Sequence, residues 1–480
     1  MNYRMILYMF GSVLKIESFA LIVPFVTAIC YKEQTSVIAY LICIALCFCV
    51  GKILTLFKPK SKEAYAKEGF ITVALSWIII SIFGAFPFMI TGHIPSFANA
   101  FFETVSGFTT TGASILKDVE ALPKAHLMWR SFTHWLGGMG VLVFVMAVTP
   151  LFGKGSIHIL KAESPGPSVS KLVPKVKSTA ILLYGIYFVM TLVEIVLLLF
   201  GKMTLFEALT LSFGTAGTGG FSVLNSGIST YSPYIQYVIT IFMILFGVNF
   251  SLYFILYFRE RKSDIFKSEE LRAYLGIIAA AIILIFINSS YLFKTVEEAF
   301  RHIAFSVGSI ITTTGYTTCD FNIWPEFSRV ILVLLMFIGA CAGSTGGGIK
   351  VSRIIILLKS IKKEIRTTAH PRTTLKIKMN GRIIDHETVR GVNVFMASYV
   401  TIFMMALLII SIDNFNFTTN FTAVAATLNN IGPGLDLVGP TGNFSLFSDL
   451  SKYVLSMCML IGRLEIFPML LLFSPSTWRK

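Results

Sequence analysis

The sequence predicts an all-α polytopic membrane protein in which four pseudo-symmetric repeats of span, pore helix, filter strand and span surround one pore, with an N-terminal two-helix hairpin ahead of them. Three observations carry this reading: an apolar composition that divides into spans, an alternation of basic and charge-poor linkers, and a short motif that recurs four times. The boundaries it implies are a hairpin over 1–65 and pore repeats over 66–160, 161–262, 263–370 and 371–480.

The apolar character comes first because it fixes the solvent. Of 480 residues, 55% are hydrophobic and only 14% charged, with 43 Phe, and the mean hydropathy is +0.76. That profile excludes an ordinary soluble domain. Apolar windows of about 20 residues, the length a bilayer core requires, recur near 4–30, 36–57, 69–91, 126–150, 177–201, 233–258, 270–292, 326–358, 388–412 and 449–474, giving ten candidate spans. The first follows a single Arg4 and lacks a small-residue cleavage site, which predicts a retained helix. The seven cysteines lie mostly within apolar runs and lack paired metal-ligand spacing.

The net charge of +15 is distributed by linker. Segments 58–68, 152–178, 259–270 and 350–390 hold 24 of the 40 Lys and Arg, whereas 92–125, 202–232, 293–325 and 413–448 hold five. The positive-inside rule makes the first set cytoplasmic and the second external. The basic runs are thus topology determinants rather than a nucleic-acid surface. Only 350–390, long and strongly basic, also suits docking of a cytosolic partner.

Each external segment contains an apolar stretch too short to span and suited to a re-entrant half-helix. The four read FFETVSGFTTTGAS (101–114), FEALTLSFGTAGTGGFS (206–222), FRHIAFSVGSIITTTGYTT (300–318) and FTAVAATLNNIGPG (421–434). Each has a half-helix, a Thr, Ser or Asn group, then a glycine. Superposing Gly112, Gly219, Gly315 and Gly432 gives an internal repeat of roughly 100 residues. Glycine suits a strand that lines a narrow pore, because turning successive carbonyls to the axis needs backbone angles that a Cβ disfavours. Non-helical backbone is tolerated at membrane depth only where it lines a cavity or is buried in protein. Four such strands would supply carbonyl rings in place of a cation's hydration shell, with each half-helix directing its partially negative C-terminus at the ion.

These motifs, with HWLGGMGV (134–141), GSTGGGIK (343–350) and GRLEIF (462–467), resemble the Trk/Ktr/HKT superfamily of potassium transporters across essentially the whole chain. The two extra N-terminal spans make it most similar to the TrkH/TrkG branch. The resemblance implies a potassium-selective pore in the bacterial cytoplasmic membrane, multi-pass, with cytoplasmic termini. It also implies a homodimer and a cytosolic TrkA-like nucleotide-binding ring that carries ATP/ADP or NAD. No cofactor is expected in this chain, potassium being its substrate, and no enzyme activity. The implied potassium-binding filter comprises Thr110, Thr111, Gly112, Thr218, Gly219, Thr314, Gly315, Asn430, Ile431 and Gly432. A potassium-channel strand has a second glycine, which here falls on Ser114, Phe221, Thr317 and, only in the fourth repeat, Gly434, so fewer well-formed sites are expected. Relatives that prefer sodium often have serine at the first filter glycine, where this chain has Gly112.

Two anomalies remain. GACAGSTGGGIK, Gly339 to Lys350, interrupts an apolar span with five glycines, each costing roughly 1 kcal/mol in a helix interior. Lying about halfway down the span, it is read as an intramembrane gate of Gly339, Gly343, Gly346, Gly347, Gly348 and Lys350, folded beneath the filter. A phosphate-cradling loop is disfavoured, since the stretch ends G-I-K rather than G-K-[ST] and follows a helix. Arg463 lies near mid-bilayer in the last span, where an uncompensated charge costs a few kcal/mol or more; it is expected to bind loop carbonyls, against the alternative of pairing with Glu465. Lys350 would either join it or snorkel to the interface. Glu194 is a proton-relay candidate or a packing partner. Asp118, Asp320 and Asp436 either focus cations at the mouth or are plain loop charges. Trp135 and glycines 137, 138 and 140 are read as close-packing residues. The alternative function is a proton- or sodium-coupled cation symporter, but repeats of one orientation favour the pore over the inverted repeats common in that class.

Overall fold

The computed structural model describes residues 2–58, 66–138, 140, 176–258, 267–372 and 375–478. Much of the basic 58–68, 152–178 and 259–270 linkers, and the last part of the 126–150 window, lie outside the described residues.

Apolar sequence of bilayer length becomes helix because a backbone without water must satisfy its own hydrogen bonds. Among the described residues, six helical segments are long and apolar enough to cross a membrane: Tyr3–Cys30, Gln34–Thr55, Lys67–Ile90, Ile181–Phe200, Glu269–Leu292 and His386–Asp413. The first contains a junction at Leu21 between helices Tyr3–Ala20 and Ile22–Cys30. Gly11 and Gly51 hold Tyr3–Ala20 against Gln34–Thr55: a Cβ on Gly51 would come 2.8 Å from Gly11 O, so the two backbones nearly touch.

Three of the other candidate spans are broken within the described residues. Pro233–Phe246 and Phe250–Leu256 meet at 93° across Gly247, Val248 and Asn249. Glu326–Ile338 and Val351–Ala369 flank the glycine-rich stretch, and Asp449–Arg463 gives way to Phe467–Phe473 through Glu465 and Ile466, both with positive φ. The interruption expected in one window therefore occurs in three. Lys124–Gly138 precedes undescribed chain.

Between each long outer helix and its partner lies a half-helix: Phe97–Phe108, Leu205–Gly217, Val296–Ile311 and Phe417–Leu428. Three have a side-chain N-cap, from Thr204 in a capping box with Glu207, from Thr295 and from Asn416. Their C-terminal halves are buried. Threonine is tolerated there because the hydroxyl donates back to the preceding turn, as Thr109 does to Val105 O at 2.7 Å, Thr215 to Leu211 O at 2.9 Å and Thr427 to Ala423 O at 2.8 Å. The described strands form one small antiparallel hairpin pairing Lys378 with Ile383 and Met379 with Arg382.

Candidate ion path: a glycine ring over a buried loop

Each half-helix ends alike. Thr110, Thr218, Thr313 and Asn430 all take left-handed conformations, with φ of 55°, 56°, 60° and 55°. The next amide donates back into the half-helix: Thr111 to Ser106 O, Gly219 to Gly214 O, Thr314 to Ser309 O and Ile431 to Ala426 O, at 2.8–2.9 Å. This is how a helix is closed by a left-handed residue. It leaves the chain extended, with a second left-handed position two residues beyond the first. Glycine occupies that position in every copy: Gly112, Gly220, Gly315 and Gly432, with φ of 80°, 76°, 83° and 102°.

These glycines close a ring. A Cβ on Gly112 would overlap Gly219 O, one on Gly220 would overlap Thr314 O, one on Gly315 would overlap Ile431 O, and one on Gly432 would lie 2.8 Å from Thr111 O. Each strand thus abuts the carbonyls of the next, and the fourth returns to the first. The structure corrects one register: Gly220, not Gly219, is equivalent to Gly112, Gly315 and Gly432. Gly219 corresponds to Thr111, Thr314 and Ile431, and Thr313 joins Thr110, Thr218 and Asn430. The sequence GTGG permits either alignment, and the closing turn decides it. All these residues are buried or nearly so.

Behind the ring runs a polar cuff. Arg130 Nε donates to Glu103 Oε1 at 2.8 Å, both side chains almost fully buried. Glu103 also accepts from Ser114 Oγ at 2.9 Å and Ile115 N at 3.0 Å. Arg130 reaches Ser222 O at 3.4 Å and lies 4.0 Å over the Phe221 ring. The pair therefore ties the first strand to the second. His134 Nδ1 lies 2.9 Å from Gly107 O, while its Nε2 accepts from Phe221 N at 3.3 Å. The Tyr316 hydroxyl donates to Leu211 O at 3.1 Å, joining the third strand to the second half-helix. Asn430 Nδ2 donates to Thr111 Oγ1 at 2.9 Å, joining fourth to first. Sequence reasoning missed Glu103 and Arg130; a charged residue in each of two apolar elements was the available signal.

Above the ring lies a vestibule of about 230 Å³, lined by the ring glycines together with Ser114, Arg130, Ser222 and Thr317. None of Asp118, Asp320 and Asp436 lines it. Asp118 accepts from Asn225 Nδ2 at 2.7 Å, and that bond holds its carboxyl below the usual range. Asp320 caps the turn Phe321–Ile323. Asp436 binds the side chains of Asn416 and Thr419, which lower its pKa in the same way. These acids shape loops at the rim.

Below the ring, Gly339 to Lys350 folds into contact with the ring itself. Gly347 N donates to Thr313 Oγ1 at 2.6 Å and Gly348 N to Asn429 O at 3.1 Å. Gly339, Gly343 and Gly348 are left-handed. Gly346 and Gly347 are needed for closeness: a Cβ on Gly346 would sit 2.9 Å from Thr312 O, and one on Gly347 would overlap Asn429 O. The loop's outer side rests on the break in the second repeat, through Cys341 N to Gly247 O at 3.1 Å and Phe250 N to Gly343 O at 3.0 Å.

Arg463 ties the loop across the axis, donating through Nη1 to Thr345 O at 2.8 Å and through Nη2 to Gly137 O at 2.6 Å. Glu465 pairs instead with Arg353, whose guanidinium stacks 4.0 Å over Phe395. Lys350 does not snorkel: it is 2% exposed, and its Nζ donates to Gly346 O. Glu194 is fully buried beside Thr215, near the end of the second half-helix. Trp135 stacks on Phe132, with Gly137 and Gly138 packed against Phe108 O and Gly217 Cα and Gly140 against the Trp77 ring, as close-packing residues should be.

A family model described as TrkH, cation transport protein, matches residues 36–480. The chain is 35% identical over 491 residues to the Trk system potassium uptake protein TrkH of Escherichia coli (strain K12), with all of both chains covered. It is 34% identical over 481 residues to the Trk system potassium uptake protein TrkG of the same organism, covering 99% of each. Among solved structures, the potassium transporter TrkH from Vibrio parahaemolyticus superposes with a TM-score of 0.90 at 32% identity over the whole of both chains.

Proposed function

We propose that this chain, which belongs to the TrkH family of cation transport proteins, takes up potassium through the glycine ring and is gated by the loop beneath it. The observation that carries the reading is the closure of four left-handed glycines, each abutting the neighbouring strand's backbone. Such a ring offers oxygens that do not have to be reorganised when an ion sheds its water. Four half-helix C-termini add negative potential at the same place. Neither feature requires a titrating carboxylate, which distinguishes the site from a proton-coupled symport site.

Filter binding is assigned to the three registers at Thr110, Thr218, Thr313 and Asn430, at Thr111, Gly219, Thr314 and Ile431, and at Gly112, Gly220, Gly315 and Gly432. The gate is assigned to Gly339–Lys350, held by Arg463. With the guanidinium donating to a loop carbonyl, a positive charge stands in the cation's way and the loop is fixed, so conduction requires both to move. The chain is placed in the bacterial cytoplasmic membrane with its termini inside, as a homodimer. The basic 350–390 linker is the docking surface for a TrkA-like cytosolic ring, and the regulatory nucleotide, ATP/ADP or NAD, belongs to that partner.

The test is the reversal potential of proteoliposomes under opposed potassium and sodium gradients. A potential near that of potassium supports the reading. A potential that follows the proton or sodium gradient instead supports symport.

A further inference from the structure

We propose that Glu269 and Glu270 form a clamp through which the 378–383 hairpin holds the loop Gly339–Lys350 in place. The inference rests on the reading of that loop as the gate. Neither acid belongs to the ring or lines the vestibule above it, and no motif singled them out.

Glu270, almost fully buried, uses one carboxylate oxygen to hold both limbs of the loop. Its Oε1 accepts from Ala342 N at 2.7 Å, early in the loop, and from Ser352 N at 3.2 Å, at the start of the helix that leaves it. A loop whose ends are pinned to one atom cannot unfold from either side without breaking that contact. Ser352 N is in the first turn of its helix, where an amide has no helical partner, and Ala342 N lies in a turn of the loop, so the carboxylate anchors both.

Glu269, the preceding residue, faces the other way. Its N–H donates to Asn380 Oδ1 at 2.8 Å, and its Oε1 accepts from Asn380 N at 3.0 Å, a reciprocal pair between the start of the third outer helix and the hairpin turn. Glu269 also pairs with Lys359, whose Nζ donates to Lys378 O at 2.7 Å. Lys359 belongs to Val351–Ala369, the helix whose first turn Glu270 holds. The hairpin turn is Asn380-Gly381, both with positive φ, the tight two-residue type that sets the register of its two short strands. Rotation or withdrawal of this hairpin therefore acts on Glu269, on the helix after the loop through Lys359, and through the adjoining residue on Glu270. The hairpin's exposed position within the basic linker gives a docked partner direct purchase on it.

Cys341, fully buried beside Ala342, reports loop position without reference to flux. The experiment measures modification of Cys341 by a water-soluble maleimide, read by peptide mass spectrometry, alongside potassium flux in proteoliposomes of the full chain. Glu270→Ala should raise both by about tenfold or more, the size expected when charge-assisted bonds to both limbs are lost. Glu270→Gln retains an acceptor oxygen and should lie much closer to the parent. Asn380→Ala, at an exposed position, and Glu269→Gln, at a half-buried one outside the core, should raise both readouts by a smaller factor. Faster Cys341 labelling with unchanged flux would uphold the clamp and overturn the gate reading. Cys341 as unreactive as in the parent in folded Glu270→Ala would overturn the clamp. If Glu270→Ala does not fold, labelling unmoved in both hairpin variants overturns the lever by itself.

Discussion

The glycine ring and the loop beneath it touch, through Gly347 N and Thr313 Oγ1, yet they are held by different chemistry. The ring is built from backbone: repeated left-handed turns, glycines where a Cβ has no room, and a cuff of buried side chains set behind it. The loop is held by separate charged groups, Arg463 across the axis and Glu270 at its flank, together with a few backbone bonds. The ring's own charged pair, Arg130 and Glu103, is sealed behind close-packed strands, whereas the loop's charged anchors hold backbone groups and can be released by competing for them. Under the proposed function, that contrast suits a selective element that must not move and a gate that must.

The contrast can be broken hardest at the cuff. Arg130→Ala strands Glu103 buried and unpaired, and should cost about 3–5 kcal/mol, seen as a large fall in melting temperature in detergent. An unchanged melting temperature would show that the pair does not hold the strands. Gly220→Ala comes next. The left-handed backbone costs an alanine about 1–2 kcal/mol, and its Cβ would overlap Thr314 O, so potassium flux should fall at least about tenfold by the rate equivalent of that energy. Gly276→Ala, with open space at its Cβ position, is the control and should transport normally. Gly112→Ser tests the same register and should weaken preference for potassium over sodium.

At the loop the sign reverses. Arg463→Ala should raise basal potassium flux several-fold in proteoliposomes that hold this chain and not the proposed cytosolic partner. Partial deletion within Ala342 to Gly347 should do the same, and the two together should give less than their sum, as coupled sites do. Folded variants with flux at or below the parent would remove the gate. Charge reversal at Lys362, Lys363 and Arg366 should reduce co-purification of the partner while leaving membrane insertion intact. The smallest effect is expected at the rim. Asp436 has a depressed pKa when folded, from Asn416 and Thr419, so its contribution is present above the ordinary aspartate pKa and lost as pH falls through the folded value. Asp436→Asn should flatten the acid limb of a melting-temperature profile below about pH 4.

Some of this was legible because local patterning determines it. The half-helices, their polar ends and their glycines repeat along the chain, since each copy must make the same turn. Five glycines within a span announce a break wherever that span sits, and an arginine in apolar sequence announces a partner. From sequence alone came the membrane class, the four half-helices, the loop Gly339–Lys350 and the singling out of Arg463. Only the tertiary structure decided that Gly220 rather than Gly219 stands in the ring, because the choice depends on which carbonyl faces which strand after closure. It also decided that Glu465 belongs to Arg353, that Glu103 finds Arg130 and that Glu270 reaches the loop. Those partners lie 27 to 112 residues apart, and no periodicity encodes which distant group a buried charge will meet; that is settled when four strands converge on one axis and each buried charge must be paired.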